Sequence, residues 1–395
     1  MNFETLAIRI QTERSQHREH SVPLFNTSSF VFHDAEQMEA LFAGEESGNI
    51  YSRFSNPNVR EFEEKIRILE GCEDAHASAS GMAAIFAGFM AFLKAGDHLI
   101  ASRALFGSTV GIIEQILPEY GISSTFIDPE DCSSWESAVR PESKMLFLET
   151  PTNPGLIVID LEKAGAFTQK HKLIFHVDNC FATPYLQNPA KYGADIISHS
   201  ATKFIDGQGR VLGGVVTGKT ELIEELRKFC RKAGPAMAPF NAWILSKSLE
   251  TLHVRMDRHC ENALTLAQRL SEHPEIQQVN YPFLPNHPQY GIAIKQMRLG
   301  GGVLTFVLKG GRERAQHFLN CLNMISLSAN LGDSRTIATH PTTSTHSKMT
   351  EAARLEAGIV PGLIRVSVGL EHIDDIFEDV AQALARSVVK QVLYK

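Results

Sequence analysis

A chain of 395 residues, 43% of them apolar, is long enough to bury a large core and to divide into two or more domains. A formal charge of −7 and a pI near 6.2 argue against nucleic acid or an anionic membrane as partner. No run of about 18 apolar residues is present, and residues 1–16 lack the apolar core of a signal peptide, so a cytoplasmic protein with no membrane span is expected. The cysteines (Cys72, Cys132, Cys180, Cys230, Cys260 and Cys321) are scattered without close pairs, which predicts reduced thiols. His340 and His346 lack the short spacing of a zinc pair and there is no Cys-x-x-Cys, so no metal is expected.

In chain order, residues 1–57 read as an irregular arm, with the polar Thr27-Ser28-Ser29 and a Gly/Ser/Asn-rich patch over 44–56. A long extended arm is expected to reach over a neighbouring subunit. A helix is predicted from Asn58, with Glu61 completing a capping box, Val59, Phe62, Ile66 and Leu69 on one face, and Gly71 as its stop. The apolar stretch 82–93 is too short to span a membrane and reads as a buried helix.

Strand-like runs follow at 98–101, 124–127, 145–148, 173–177, 195–198 and 215–217, with stretches of helical length at 109–119, 161–171 and 221–231. This alternation predicts an α/β unit over 58–254, a mostly parallel sheet with helices on both faces. From 255 the texture changes. A helix at 263–270, a Pro-rich connector at 281–288, a strand at 303–308, a helix at 313–323, a strand at 363–368 and a closing helix from Asp374 predict a smaller α+β domain over 255–395. Ile376, Phe377, Val380, Leu384 and Val388 are expected to form the apolar face of the closing helix.

Two strand ends carry chemistry. Lys203 follows small hydroxyl residues in Ser198-His199-Ser200-Ala201-Thr202-Lys203. A lysine so placed can hold an aldehyde cofactor as a Schiff base, while hydroxyls such as Ser200 and Thr202 bind the cofactor's phosphate. The alternative is a surface lysine in a polar loop. Asp178 ends the run Leu173-Ile174-Phe175-His176-Val177-Asp178, where an acid can pair with a protonated pyridine nitrogen. Ligands of parallel sheets bind at the carboxyl ends of strands, and both residues are predicted there. Asp and Lys so spaced are the arrangement that pyridoxal 5'-phosphate requires. Gly81 and Met82 open a helix after Ser78-Ala79-Ser80, so their N–H groups form an anion site. Arg365 interrupts an otherwise apolar strand. A buried arginine needs a partner: the α-carboxylate of an amino-acid substrate, or an internal acid such as Glu371.

Six motifs in order carry a resemblance over almost the whole chain: Tyr51-Ser52-Arg53, Ser80-Gly81-Met82-Ala83-Ala84, Glu149-Thr150-Pro151-Thr152-Asn153-Pro154, the stretch from Val177 to Pro184, Ser200-Ala201-Thr202-Lys203, and the stretch from Ile364 to Glu371. The sequence resembles the trans-sulfuration (Cys/Met-metabolism) family of pyridoxal-phosphate enzymes. The resemblance implies the aminotransferase-like fold of type I, and a homotetramer, a dimer of dimers with shared sites. In it Tyr51 and Arg53 reach the cofactor phosphate of the adjacent subunit, and Asn153 lies near the cofactor's phenolic oxygen and the substrate carboxylate. Two positions depart from the pattern. Phe106 stands where the family usually stacks a tyrosine on the cofactor ring, and Asn330 stands where a serine is frequent.

Leu105-Phe106-Gly107-Ser108-Thr109, Asp206-Gly207-Gln208-Gly209-Arg210 and Asn330-Leu331-Gly332-Asp333 are similar to the branch that sulfhydrylates O-acylhomoserine, O-succinylhomoserine above all. The implied reaction is replacement at Cγ of an O-succinyl- or O-acetylhomoserine by sulfide, giving homocysteine for methionine biosynthesis. Cystathionine γ-synthase and methionine γ-lyase activities stand beside it. Against the lyase, Ser108 replaces the cysteine associated with that activity. A catalytically silent homologue is disfavoured by the presence of Lys203, Asp178 and Arg365 together.

Overall fold

A computed structural model describes residues 1–388 apart from Lys348 and Ala357. Seven strands form the larger sheet: β1 Asp74–Ser78, β2 His98–Ser102, β3 Ser123–Ile127, β4 Ser143–Glu149, β5 Ile174–Asp178, β6 Ile196–Ser200 and β7 Gly214–Gly218. Their order is β3-β2-β4-β5-β6-β7-β1. The ladder is parallel from β3 to β6 and antiparallel through β7 to β1. This is the mostly parallel sheet that the sequence predicts.

Burial alternates along the strands with the expected period of two. Met145 and Phe147 of β4 face a cluster with Ile85 and Phe89, while Leu146 and Leu148 face one with Leu161, Ala164 and Phe167. The helices Gly81–Met90 and Leu161–His171 therefore cover opposite faces. β1 was not among the predicted strands. It reads Asp-Ala-His-Ala-Ser, without the β-branched or aromatic residues that favour strands. It exists because β7 pairs along it and because Arg60 and Arg227 hold Asp74.

A smaller sheet follows, with β8 Ile276–Asn280, β9 Val303–Leu308, β10 Ser326–Leu327, β11 Ile337–Thr339 and β12 Leu363–Ser367 in the order β10-β11-β12-β9-β8. Only β9 and β12 were predicted. β10 and β11 are too short for a readable period, and β8 has two exposed glutamines among its five residues. The helix Leu252–Ser271, predicted only over 263–270, runs between the two sheets. On it the ring of His259 lies 5.2 Å from that of Phe204, and its Nδ1 is 2.6 Å from the Val368 carbonyl oxygen. Burial holds the His259 imidazole down to about 4, so it is neutral at pH 7 and Nδ1 donates.

Other boundaries shift for local reasons. The helix predicted from Asn58 spans Pro57–Glu70, because Asn56 caps it by accepting from the Asn58 N–H and Pro57 needs no hydrogen bond at the first position. Glu61 is no capping partner. It is buried and accepts from the Thr12 N–H at 2.9 Å and the Ser246 hydroxyl at 2.6 Å, tying the arm to the core. The arm itself holds two helices, Phe3–Arg9 and Ala35–Ala43, rather than being irregular throughout. The first packs Phe3, Leu6 and Ala7 on the core, and the second has an Asp34 cap and a Gly44 stop. The stretch predicted as helix at 109–119 is α-helical only over Gly107–Gly111. It widens over Ile112–Ile116 and tightens over Leu117–Tyr120, where Pro118 offers no N–H. The closing helix, Ile373–Arg386, ends before Val388, which is exposed; Ile376, Val380 and Leu384 are buried as expected.

Gly332, in the segment between β10 and β11, packs directly on the Lys203 turn. Its φ is +78°, and a Cβ there would stand 2.5 Å from the Phe204 nitrogen and 2.7 Å from the Lys203 carbonyl carbon. Gly332→Ala is expected to lower unfolding stability by roughly 2–4 kcal/mol, from backbone strain plus displacement of the Lys203 segment. Gly44→Ala, with the same φ and open space around it, is expected to cost about 1 kcal/mol. Denaturant titration of the two variants checks this, and equal losses would mean that the contact with Lys203 costs nothing.

Candidate active site

The carboxyl ends of β4, β5 and β6 meet the segments from the smaller sheet around a cavity of about 480 Å³. Lys203, Asp178, Asn153, Asn330, Arg365 and Phe106 all line it, as do Gly81, Met82, Ser200 and Thr202. Lys203 follows β6 in a turn. Its Nζ donates to Asn330 Oδ1 at 2.6 Å. Burial lowers the lysine's proton affinity, and the nearby Arg365 charge acts in the same direction, while Cys180 opposes. Both lowering effects favour the neutral amine that proton transfer needs.

Asp178 ends β5 and is buried. Burial pushes its carboxyl up to about 6, although the Cys180 N–H at 3.0 Å and the charge of His199 pull the other way. Beside it Glu149 ends β4, in direct register with Asp178. Burial first, and the Asp178 charge second, hold the Glu149 carboxyl well above the usual range.

At the other end, the side chain of Ser80 caps the helix Gly81–Met90 by accepting from the Ala83 N–H. The first N–H groups of that helix have no intrahelical acceptor, and Gly81 and Met82 line the cavity together with Ser200. A Cβ on Gly81 would stand 2.5 Å from Ser200 Cβ, so only glycine lets the helix start approach β6 this closely. Thr202 accepts from the Gly213 N–H at 3.2 Å.

Arg365, on β12, is 1% exposed. One Nη donates to Asn153 Oδ1 at 3.0 Å and the other to the carbonyls of Ala329 and Asn330, while Nε has no partner. No acid among the described residues pairs with it. The alternative partner, Glu371, accepts instead from the Thr336 N–H and hydroxyl at 2.6 and 2.8 Å. Burial brings the guanidinium down to about 10, still charged at pH 7. It is a cation facing a cavity with only neutral acceptors around it, and a carboxylate entering the cavity would complete its set.

Tyr51 and Arg53 are not in this cavity. Tyr51 is 42% exposed, and Arg53 lines a separate hollow of about 420 Å³, donating to the Arg231 carbonyl with its guanidinium 4.5 Å from the Phe54 ring. Among the cavity residues that the sequence did not mark as site residues are Glu149 and Cys180. Glu149 carried a signal, being an acid that ends the strand before the Asp178 strand. Cys180 carried none; it is half-buried with its Sγ 3.6 Å from the Ser200 carbonyl oxygen, and desolvation pushes its thiol up out of the reactive range.

The segments Asp206–Arg210 and Asn330–Asp333 fold against each other. Ser334 donates its N–H to the Gly207 carbonyl, Arg335 bonds both Asp333 and the Gln208 carbonyl, and Arg210 pairs with Asp206. They brace the Lys203 turn.

The residues present fit pyridoxal phosphate: a low-affinity lysine, a buried acid at a strand end, a helix start cradled tightly enough to exclude a Cβ, and an aromatic wall. A lysine, a buried acid and a helix start so placed around one cavity at the carboxyl edge of the sheet are the site of a pyridoxal-phosphate-dependent enzyme. The chain belongs to the Cys/Met metabolism family of PLP-dependent enzymes, whose family model matches residues 4–385. It is 46% identical over 383 residues to the O-succinylhomoserine sulfhydrylase of Pseudomonas aeruginosa, covering 97% of this chain and 95% of the relative. It is 41% identical to the L-methionine gamma-lyase of Porphyromonas gingivalis, over 92% of each. A solved Campylobacter jejuni chain, described as an O-acetylhomoserine (thiol)-lyase and containing N'-pyridoxyl-lysine-5'-monophosphate, superposes with a TM-score of 0.94 at 33% identity, over 98% of this chain and 100% of that one.

The raised Asp178 pKa has a measurable sign. Without cofactor the folded state binds the Asp178 proton more tightly than the unfolded chain, whose aspartate titrates near 3.8. Ionisation therefore costs stability as pH rises from 3.8 to about 6. Cofactor-free Asp178→Asn is expected to match the parent below that window and to exceed it above pH 6 by about 3 kcal/mol. Thermal or urea unfolding at pH 3 and pH 7.5 checks this; a variant less stable at pH 7.5 would contradict it.

Proposed function

We propose that this chain replaces the acyloxy group of an O-acylhomoserine, succinyl or acetyl, with sulfide. The Cγ–O bond breaks and the acid leaves as its carboxylate; a Cγ–S bond forms, and homocysteine is released. The observation that carries this reading is the unpaired Arg365 guanidinium facing the same cavity as Lys203. One group suits an amino acid's carboxylate, and the other suits the protons beside its amino group.

In this reading Arg365 and Asn153 would hold the α-carboxylate through the planar fork of the guanidinium. Asp178 would pair with the cofactor's ring nitrogen. Ser200, Thr202 and the Gly81 and Met82 N–H groups would hold its phosphate, and Phe106 would cover a ring face. When bound, pyridoxal phosphate supplies an electron sink next to the substrate's amino carbon. Lys203, oriented by Asn330, would take the Cα proton and return protons to the substrate carbons; its lowered affinity lets the amine stay neutral for this work. Phe106 offers no proton to the leaving group, which supports capture by a nucleophile over elimination. The 46% identical Pseudomonas aeruginosa relative points the same way.

The same reading takes Tyr51 and Arg53 to the cavity of a second copy, in a cytoplasmic homotetramer built from two dimers. It treats the arm 1–57, the cofactor-binding part 58–254 and the part 255–395 as the chain's units. The gamma-lyase relatives favour a second reading, elimination without replacement.

Product analysis separates the two. With O-succinyl- or O-acetylhomoserine and sulfide, homocysteine is expected to dominate over 2-oxobutanoate. Phe106→Tyr is expected to raise the share of 2-oxobutanoate at full cofactor occupancy, since general acid–base help of this kind is worth ~10²–10⁴-fold. Elimination that dominates in the parent even with sulfide present would replace the proposal with the lyase reading, and cystathionine formed faster from cysteine than homocysteine from sulfide would make the chain a cystathionine synthase.

The shared site has its own test. Arg53→Ala and Lys203→Ala chains are each expected to be inactive, and mixing them is expected to restore part of the activity. In a mixed dimer one site receives both defects and the other neither. Hybrids shown to form but without activity would place both residues in one chain's site.

A further inference from the structure

Glu149 has no role in the reading above, yet it lies at the centre of the cavity's hydrogen bonding. It is 5% exposed. Among the described residues no lysine, arginine or histidine forms a salt bridge with it. A buried carboxylate without a cation is costly, and its two oxygens must be satisfied by donors. Both are: Oε2 accepts from the Phe106 N–H at 2.8 Å and Oε1 from the Asn153 N–H at 3.0 Å.

These two donors belong to different loops, one following β2 and one following β4. Phe106 is the aromatic wall, and Asn153 is the residue whose Oδ1 accepts from Arg365. Arg365 in turn donates to the Asn330 carbonyl, and the Asn330 side chain accepts from Lys203. A single carboxylate thus anchors one end of a chain of contacts that runs through Phe106, Asn153, Arg365, Asn330 and Lys203.

We propose that Glu149 is a positioning residue for the substrate's carboxylate end, fixing Asn153, and through it the Arg365 fork, relative to the Phe106 wall. The chemistry of the side chain supports a glutamate here. Two N–H donors need two acceptor oxygens. A glutamine supplies one oxygen and turns an amide N–H₂ toward the other donor, leaving it unpaired. Aspartate keeps both oxygens but is one carbon shorter. The register of β4 with β5 sets Glu149 beside Asp178, and burial first, then the Asp178 charge, raises the proton affinity of Glu149.

The proposal rests on reading Arg365 as the carboxylate clamp, and the experiment keeps the two apart. L-Norleucine, an amino acid with the α-carboxylate but no leaving group, is titrated into the cofactor-loaded enzyme and followed by the visible absorbance. Glu149→Gln is expected to raise the norleucine Kd about tenfold or more, as befits a lost hydrogen bond to a charged group. It is also expected to raise KM for the O-acylhomoserine more than it lowers kcat. Glu149→Asp is expected to recover part of the affinity.

A general loosening of the fold would act regardless of Asn153. A positioning role acts through it. On an Asn153→Ala background, Glu149→Gln is therefore expected to change the norleucine Kd by less than about threefold, a coupling that double-mutant comparison reads directly. Additive losses in the two backgrounds overturn the proposal, as does an unchanged Kd in Glu149→Gln. Should the glutamine variant fail to take up cofactor, Glu149→Asp carries the same comparison: a few-fold loss that disappears on the Asn153→Ala background supports the proposal, and one that persists overturns it. Arg365→Ala is the control. If norleucine binding survives that change, the clamp reading falls. If Arg365→Ala weakens binding and Glu149→Gln does not, the inference about Glu149 alone falls.

Discussion

A guanidinium has been carried almost completely out of water and given no acid to lean on. Arg365 sits on the smaller sheet, faces the carboxyl edge of the larger one, and among the described residues is met only by an amide oxygen and two backbone carbonyls. Desolvation of a charge on this scale disfavours the folded state unless dipoles are arranged to receive it. The surrounding structure supplies them. Asn153 is held by its backbone, the Ala329–Asn330 segment turns its carbonyls inward, and Gly332 lets that segment press on the Lys203 turn. The cavity is therefore already polarised before any ligand enters, with its dipoles aimed and little left to reorganise.

The opposite charges are kept on the opposite wall. Asp178 and Glu149 end neighbouring parallel strands, where the register forces their side chains onto the same face. Neither has a lysine or arginine partner among the described residues, and burial raises the proton affinity of both. The lysine between the two walls feels burial and Arg365 together, and both favour its neutral form. One arrangement of strands thus sets three proton affinities in the direction that acid–base work at carbon requires, which is how perturbed groups come to cluster in functional clefts.

Much of this was legible in the sequence, for definite reasons. The central parallel strands are largely apolar runs of four or five residues separated by helices, and such runs are readable because both faces are buried. Lys203 and Asp178 were readable because each follows a strand, and strand ends are where such sheets bind ligands. Arg365 stood out as a charge in an apolar strand. The parts that escaped depend on partners distant in sequence. β1 is a strand because β7 and two arginines make it one, not because Asp-Ala-His-Ala-Ser favours extension. The helix start at Pro57 was missed because Glu61 mimics a capping acid while its carboxylate actually serves Thr12 and Ser246. Glu149 was visible as a motif letter, but its role lies in two loops joined through it, one of them 43 residues away. The resemblance predicted Tyr51 and Arg53 for a neighbour's site, and in the single chain they stand apart from the cavity.

The helix Leu252–Ser271 has a consequence of its own. Its His259 ring touches Phe204, the residue after Lys203, and donates to the carbonyl of Val368, three residues beyond Arg365. The neutral imidazole is thus a spacer inserted between the segment that carries the amine and the strand that carries the guanidinium. The spacing between the two groups thus depends partly on a side chain outside the cavity, and a ring of different size at position 259 would shift one segment against the other while leaving every residue that lines the cavity unchanged.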